Sequence, residues 1–165
     1  MTVRAMQLGD VQEVSRIVMA AFSDSVASGL SQEGVSTFMG LSAPEAFAKR
    51  MSEDNCMLVY EEQDGIVGMI ELKEGRHVAM LFVAPGSQGR GIGRELVREA
   101  LSRRRVQSVT VSASLTSVIA YEKYGFEVVG AEEETQGLRY IPMKIELKNS
   151  MNPDNLSHSE PSVAG

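Results

Sequence analysis

The residues best placed to do chemistry in this chain are Gln88-Gly89-Arg90-Gly91-Ile92-Gly93-Arg94, which follow the apolar run ending at Phe82-Val83. A strand that stops, a glycine-rich turn and a helix that starts together make a phosphate cradle. The first N–H groups of a helix lack partners, and the positive end of the helix dipole lies there. Three glycines in five residues keep Cβ atoms out of the way of an approaching anion. Between Ser87 and Arg105 stand six arginines (Arg90, Arg94, Arg98, Arg103, Arg104, Arg105) and two acids, Glu95 and Glu99. That is a local charge of +4 in a chain whose net charge is −6. The stretch fits a ligand with several phosphates, and it fits a solvated helix face equally well.

Two nucleotide motifs can be tested against this turn. A P-loop ends Gly-Lys-Ser/Thr, with lysine on phosphate and the hydroxyl on magnesium, whereas this turn ends Gly93-Arg94-Glu95. A Rossmann turn requires a third glycine where Arg94 stands. It also requires an acid about 20 residues on, where this chain has Thr110, Val111 and Ser112. Neither motif is present.

The elements that must carry the turn can be read from periodicity. Residues 1–7 read as a first strand, and Asp10 is expected to cap a helix bearing Val14, Ile17, Val18, Ala21 and Phe22. Residues 29–42 read as a loop broken by Gly29, Gly34 and Gly40. Ser42 is then expected to cap a helix that starts at Pro44. Cys56–Glu62 and Ile66–Lys73 flank an Asp64-Gly65 hairpin turn, and His77–Val83 makes the next strand. After the glycine turn come a helix to about Arg104, a strand over 107–113, a short helix over 117–124 and strands over 126–130 and 138–147. Strand, helix, strand at this point predicts one parallel pair in an otherwise antiparallel sheet. The expected fold is therefore α+β: one domain over 1–148, a twisted sheet of about seven strands and about four flanking helices. Residues 149–165, small and polar without periodicity, are expected to form a disordered tail.

Composition narrows the classes. With 43% hydrophobic and 23% charged residues the chain is an ordinary globular one, and its acidic balance argues against nucleic-acid binding through a broad basic surface. Cys56 is the single cysteine, so no disulfide forms within the chain. No apolar run reaches membrane-spanning length, and a cytoplasmic location without a membrane partner is expected.

Gln88-x-x-Gly91-x-Gly93, preceded by a strand ending Phe82-Val83-x-Pro85, resembles the acyl-CoA-dependent N-acyltransferases of the GNAT superfamily, whose signature is Gln/Arg-x-x-Gly-x-Gly/Ala. Downstream, Ala120-Tyr121-Glu122-Lys123-Tyr124-Gly125-Phe126 looks like that superfamily's Tyr-Glu-Lys-x-Gly-Phe segment, one helix, one strand and one short helix later. The resemblance covers roughly residues 2–148. It implies direct transfer of an acetyl group from acetyl-CoA, as cosubstrate, to a small-molecule or peptide amine, with no metal. The backbone of Gln88, Gly89, Arg90, Gly91, Ile92, Gly93 and Arg94 would hold the pyrophosphate, helped by the Arg90 or Arg94 side chain. A backbone N–H near Phe82 or Val83 would polarise the thioester carbonyl, and Tyr121 would protonate the departing thiolate. Strand 77–83 carries no carboxylate, so Glu71 and His77 are the candidate bases. Many relatives place an asparagine before the Tyr-Glu-Lys segment; here Ser112, Ser114 and Ser117 stand in that region as candidate cofactor contacts. The segments around 34–39 and 138–140 would border the acceptor pocket, with Arg139 among them. The net charge leans towards a cationic acceptor, and dimers are common among similar proteins. The alternative is a non-catalytic acyl-CoA-binding module with the same fold.

Overall fold

The computed structural model describes residues 2–148. The expected tail, 149–165, lies outside them. Eight strands form one sheet: β1 (Thr2–Ala5), β2 (Asn55–Glu62), β3 (Gly65–Lys73), β4 (His77–Val83), β5 (Ser108–Ser114), β6 (Glu127–Val128), β7 (Glu133–Thr135) and β8 (Leu138–Glu146). Their spatial order is β1-β2-β3-β4-β5-β8-β6, with β7 paired to β8. All neighbours are antiparallel except β4 and β5. Helices α1 (Val11–Ser25), α2 (Gln32–Leu41), α3 (Pro44–Met51), α4 (Ile92–Leu101) and α5 (Val118–Lys123) flank the sheet.

Two apolar clusters cover the two faces of the sheet. Under α4 and α5 lie Leu58, Ile70, Leu72, Leu96, Val97, Val109, Val111, Phe126 and Met143. Under α1, α2 and α3 lie Val14, Val18, Phe22, Phe38, Phe47, Val59 and Met69. Alternation along β2 and β3 sends successive side chains to opposite clusters, as a strand buried on both faces must.

The mixed sheet and its parallel pair match expectation, and three local readings are corrected. Residues 29–42 are not a loop, since α2 occupies Gln32–Leu41 with Ser31 as its cap, the Ser31 hydroxyl accepting from Gly34 N–H at 3.2 Å. Gly34 does not break that helix. It is buried where the helix meets the β7–β8 turn, and a Cβ there would collide with the Gly137 carbonyl. Asp10 makes no side-chain cap on α1, because its carboxylate accepts from Gln7 N–H and from both Arg4 amino groups. Ser42 does not cap α3. Ala43 holds that position, and Ser42 is instead the buried end of α2, its carbonyl accepting from Ser15 Oγ at 2.6 Å. The last strand also lies deeper than a closing hairpin implies, since β8 inserts between β5 and β6.

The decisive feature is the parallel pair. β4 and β5 are in register only at His77↔Thr110 and Val78↔Val111. Beyond these residues the strands diverge, and their facing edges are left open along Ala79–Val83 and Ser112–Ser114.

Candidate active site

The fork between β4 and β5 opens into a cleft of about 1030 Å³ that reaches both faces of the sheet. Its walls come from β4, the Ser87–Arg94 turn, β5, α5 and β8, and from α1 and α2 on the other face. The site is thus assembled from elements far apart in sequence by one event, the divergence of two parallel strands.

At one end lies the glycine turn. Gly91 takes the left-handed conformation at φ 83° as the N-cap of α4, and Gly89 takes it at φ 78°. A Cβ on either would meet no protein atom within 4 Å, so these two glycines serve backbone conformation and leave open space in front of the turn. Gly93 serves packing instead, since a Cβ there would collide with the Tyr124 hydroxyl. Without a capping side chain, the first N–H groups of α4 remain available to an anion. The Gln88 side chain donates to the Val83 carbonyl at 3.1 Å and ties the turn to the end of β4.

The arginines divide. Arg94 lines the cleft and lies 5.6 Å from the Tyr124 ring centroid in a cation–π contact. Arg90 pairs with Glu62 on β2 and is not part of the cleft wall. Arg98, Arg103 and Arg105 pair with Glu95, Glu99 and Asp54. Four of the six arginines in the +4 stretch are therefore paired on the outer surface, and its one charged side chain on the cleft wall is Arg94. The partners Glu62 and Asp54 lie too far along the chain for any local pattern to reveal them.

On β4, Ala84 N–H donates to the Val67 carbonyl on β3 at 2.8 Å. Alternation then turns the Phe82 N–H towards β3 and the Val83 N–H towards the open side. Of the two candidates, only Val83 presents its N–H to the cleft. The Phe82 ring serves the opposite end, edge-on to Phe38 at 5.4 Å, while Phe38 stacks on Phe22 at 3.8 Å.

Tyr121 lies on the cleft wall, held edge-on by Tyr124 at 5.9 Å and by Phe126 at 5.4 Å. Burial, helped by the neighbouring Tyr124 phenol, pushes its pKa above the ordinary tyrosine value, so the hydroxyl keeps its proton at neutral pH. Ser112, Ser114 and Ser117 also line the cleft. Ser114 Oγ donates to Ser117 Oγ at 2.9 Å, and Ser117 Oγ donates to the Ser114 carbonyl at 3.0 Å, so these two serines chiefly hold the start of α5.

Glu71 and His77 are not brought to Tyr121, and neither lines the cleft. Glu71 is 1% exposed and accepts two bonds from Arg50 Nε, at 3.0 and 3.2 Å. Burial raises its pKa above the ordinary carboxyl value, and the Arg50 guanidinium works against that rise. Its pattern in β3 is that of an apolar position, which is why sequence could not reveal the partner on α3. His77 lies at the vertex of the fork with Nδ1 2.7 Å from Thr110 Oγ1. Burial lowers its pKa, as do the nearby cations Arg76 and Lys73. The folded state thus favours the neutral ring. Its stabilising contribution is complete above the unfolded value of about 6.5 and is lost as pH falls through the lower folded value. In urea titrations at pH 7.5 and pH 5, His77→Gln should lose less stability on acidification than the native chain. An equal loss in both would remove His77 as a source of the acid sensitivity.

Among the described residues no helix is long and apolar enough to cross a membrane.

Residues 26–147 match the sequence profile of the acetyltransferase (GNAT) domain. The chain is 37% identical over 73 residues to the peptidyl-lysine N-acetyltransferase YjaB of Salmonella typhimurium, covering 44% of this chain and 50% of that protein. It is 32% identical over 81 residues to the peptidyl-lysine N-acetyltransferase YiaC of Escherichia coli, covering 47% and 56%. The chain thus spans about half the length of the curated relatives it matches. Among solved structures, a GCN5-related N-acetyltransferase from Rhodopseudomonas palustris superimposes with a TM-score of 0.74 at 24% identity, covering 88% of this chain and 95% of that one. The PaiA N-acetyltransferase of Thermoplasma acidophilum, solved with coenzyme A, gives 0.71 at 19% identity, covering 88% and 98%. At such identities the superpositions speak for the fold, and the profile speaks for descent: the chain belongs to the GNAT acetyltransferase family.

Proposed function

We propose that this protein is an acyl-CoA-dependent N-acetyltransferase that moves an acetyl group from acetyl-CoA directly onto a primary amine within a ternary complex. The observation that carries this reading is the β4–β5 cleft, with an uncapped helix N-terminus at one end and a buried, protonated tyrosine on its wall. The open space before Gly89 and Gly91 fits a diphosphate, held by the backbone N–H groups of the turn and by Arg94. The unpaired edge of β4 fits an extended amide-bearing arm, which would bond to it as an added strand.

Acetyl-CoA supplies the activated acyl group. The chain orients that group, and the Val83 N–H donates to its carbonyl oxygen; a donor so placed contributes about 3 kcal/mol to the barrier reduction. The amine nitrogen forms the new N–C bond, the C–S bond breaks, and Tyr121 Oη gives its proton to the leaving sulfur. The amine proton shed in the same sequence restores the phenol. A peptidyl-lysine ε-amine is among the acceptors to try first, since the relatives above are named for that activity.

The donor site is tested by Gly91→Ala. Placing a side chain at φ 83° costs on the order of 1–2 kcal/mol, and no protein atom stands in its way. That strain weakens binding only where the turn relaxes and no longer aims its N–H groups at the anion, so acetyl-CoA affinity measured by calorimetry should fall, by about tenfold where relaxation removes the whole of it. Gly86→Ala, in open space and without a positive φ, should leave affinity unchanged. Equal affinity in both variants would place the diphosphate elsewhere.

A further inference from the structure

We infer that the acceptor is a single primary amine on an apolar stem, and that it meets the thioester already deprotonated by solvent. The inference rests on the transferase reading above and concerns the other end of the same cleft. That end is a sleeve walled chiefly by Phe22, Val26, Leu30, Phe38, Phe82 and Leu138, with only the uncharged hydroxyls of Ser25 and Thr37 added from α1 and α2. Its roof is closed where α2 meets the β7–β8 turn, with Thr37 Oγ1 donating to the Gln136 carbonyl at 2.8 Å.

Among the described residues lining the cleft there is no aspartate, glutamate or histidine. The charged groups facing it are Arg94 and Lys123, from the turn and α5, and Arg139 on β8. Its other titratable groups are Tyr121, Tyr124 and Tyr140, while α1 and α2 contribute none. Arg139 is held at the rim by Glu132, with Nη2 at 2.7 Å and Nε at 2.9 Å, so its charge is largely offset there. The acids behind the net charge of −6 therefore do not face the acceptor.

Two consequences follow from this chemistry. An ammonium entering the sleeve finds no counter-ion and is disfavoured by desolvation, which favours the neutral, nucleophilic amine. A second ammonium on the same acceptor meets apolar walls and no carboxylate, so polyamines and aminoglycosides are poor substrates. The balance is R-NH2 plus acetyl thioester giving acetamide plus free thiol, with the ammonium proton surrendered to water before entry.

The test compares kcat/KM across pH for leucinamide and for Nα-acetyl-lysine amide. The acidic limb should follow each acceptor, lying about two pH units lower for the α-amine, since α- and ε-amines ionise near about 8 and about 10.4. Spermidine should react at least about tenfold less well than hexylamine, the penalty of an unpaired second charge. Leu30→Glu, which places a carboxylate in the sleeve, should narrow that gap. A limb at one fixed pH for every acceptor would overturn the inference by assigning the base to the enzyme, and so would preference for spermidine in the native chain. Absence of thiol release with every amine would count against the transferase reading itself.

Discussion

Tyr121→Phe should lower kcat by about a hundredfold or more, the usual worth of a positioned general acid, while leaving acetyl-CoA affinity within about threefold. The asymmetry follows from what the hydroxyl does and does not touch. Tyr Oη makes no hydrogen bond within the described protein, so its removal leaves no partner unsatisfied. The ring keeps its edge-on packing against Tyr124 and Phe126, and the variant should fold with unchanged thermal stability. Chemistry suffers because the sulfur must then leave as a bare thiolate in a partly desolvated cleft. Steady-state kinetics with a saturating amine, together with calorimetric binding of acetyl-CoA, separates the two effects. Unchanged kcat would hand the acid role to another group, and parallel loss of kcat and affinity would make Tyr121 a packing residue.

Gly34→Ala should damage the acceptor end selectively. A Cβ at Gly34 would overlap the Gly137 carbonyl oxygen and lie 2.8 Å from its carbon, and both atoms belong to backbone that cannot rotate away. Relief requires α2 and the β7–β8 turn to move apart, which opens the roof over Phe38 and breaks the Thr37–Gln136 bond. Overpacking of this kind costs roughly 1–3 kcal/mol, which lowers the melting temperature of a chain this size by several degrees, roughly 2–4 °C per kcal/mol. Acceptor kcat/KM should fall about tenfold through lost positioning, while acetyl-CoA affinity stays within about twofold because the glycine turn lies at the far end. A loss of acetyl-CoA affinity equal to the loss in acceptor kcat/KM would mean the two ends are not independent.

The glycine turn before α4 was legible in sequence because it is local. A helix N-terminus, its glycines and the preceding strand are contiguous, and the Gly89 and Gly91 conformations are those their residue type suggests. The parallel β4–β5 pair was equally legible, since strand, helix, strand admits few alternatives. The opposite end of the cleft was not, because its walls are made by close approaches between distant segments. Gly34 resembles a helix breaker until Gly137 is placed against it, 103 positions later in a chain of 165. β7, three exposed polar residues, carries no hydrophobic alternation and exists only by pairing with β8. Charge is ambiguous for the same reason: the arginine run fits a phosphate surface and a solvated helix face equally well until Glu62 and Asp54 are placed beside it.

Release of free thiol from acetyl-CoA, followed with and without an added primary amine, tests acetyl transfer by this cleft most directly. The expected result is release that requires the amine, saturates with acetyl-CoA, yields one acetamide per thiol and nearly vanishes in Tyr121→Phe. Tight acetyl-CoA binding with no amine-dependent release across α-amines, lysine peptides and simple alkylamines would contradict it and leave a binding module.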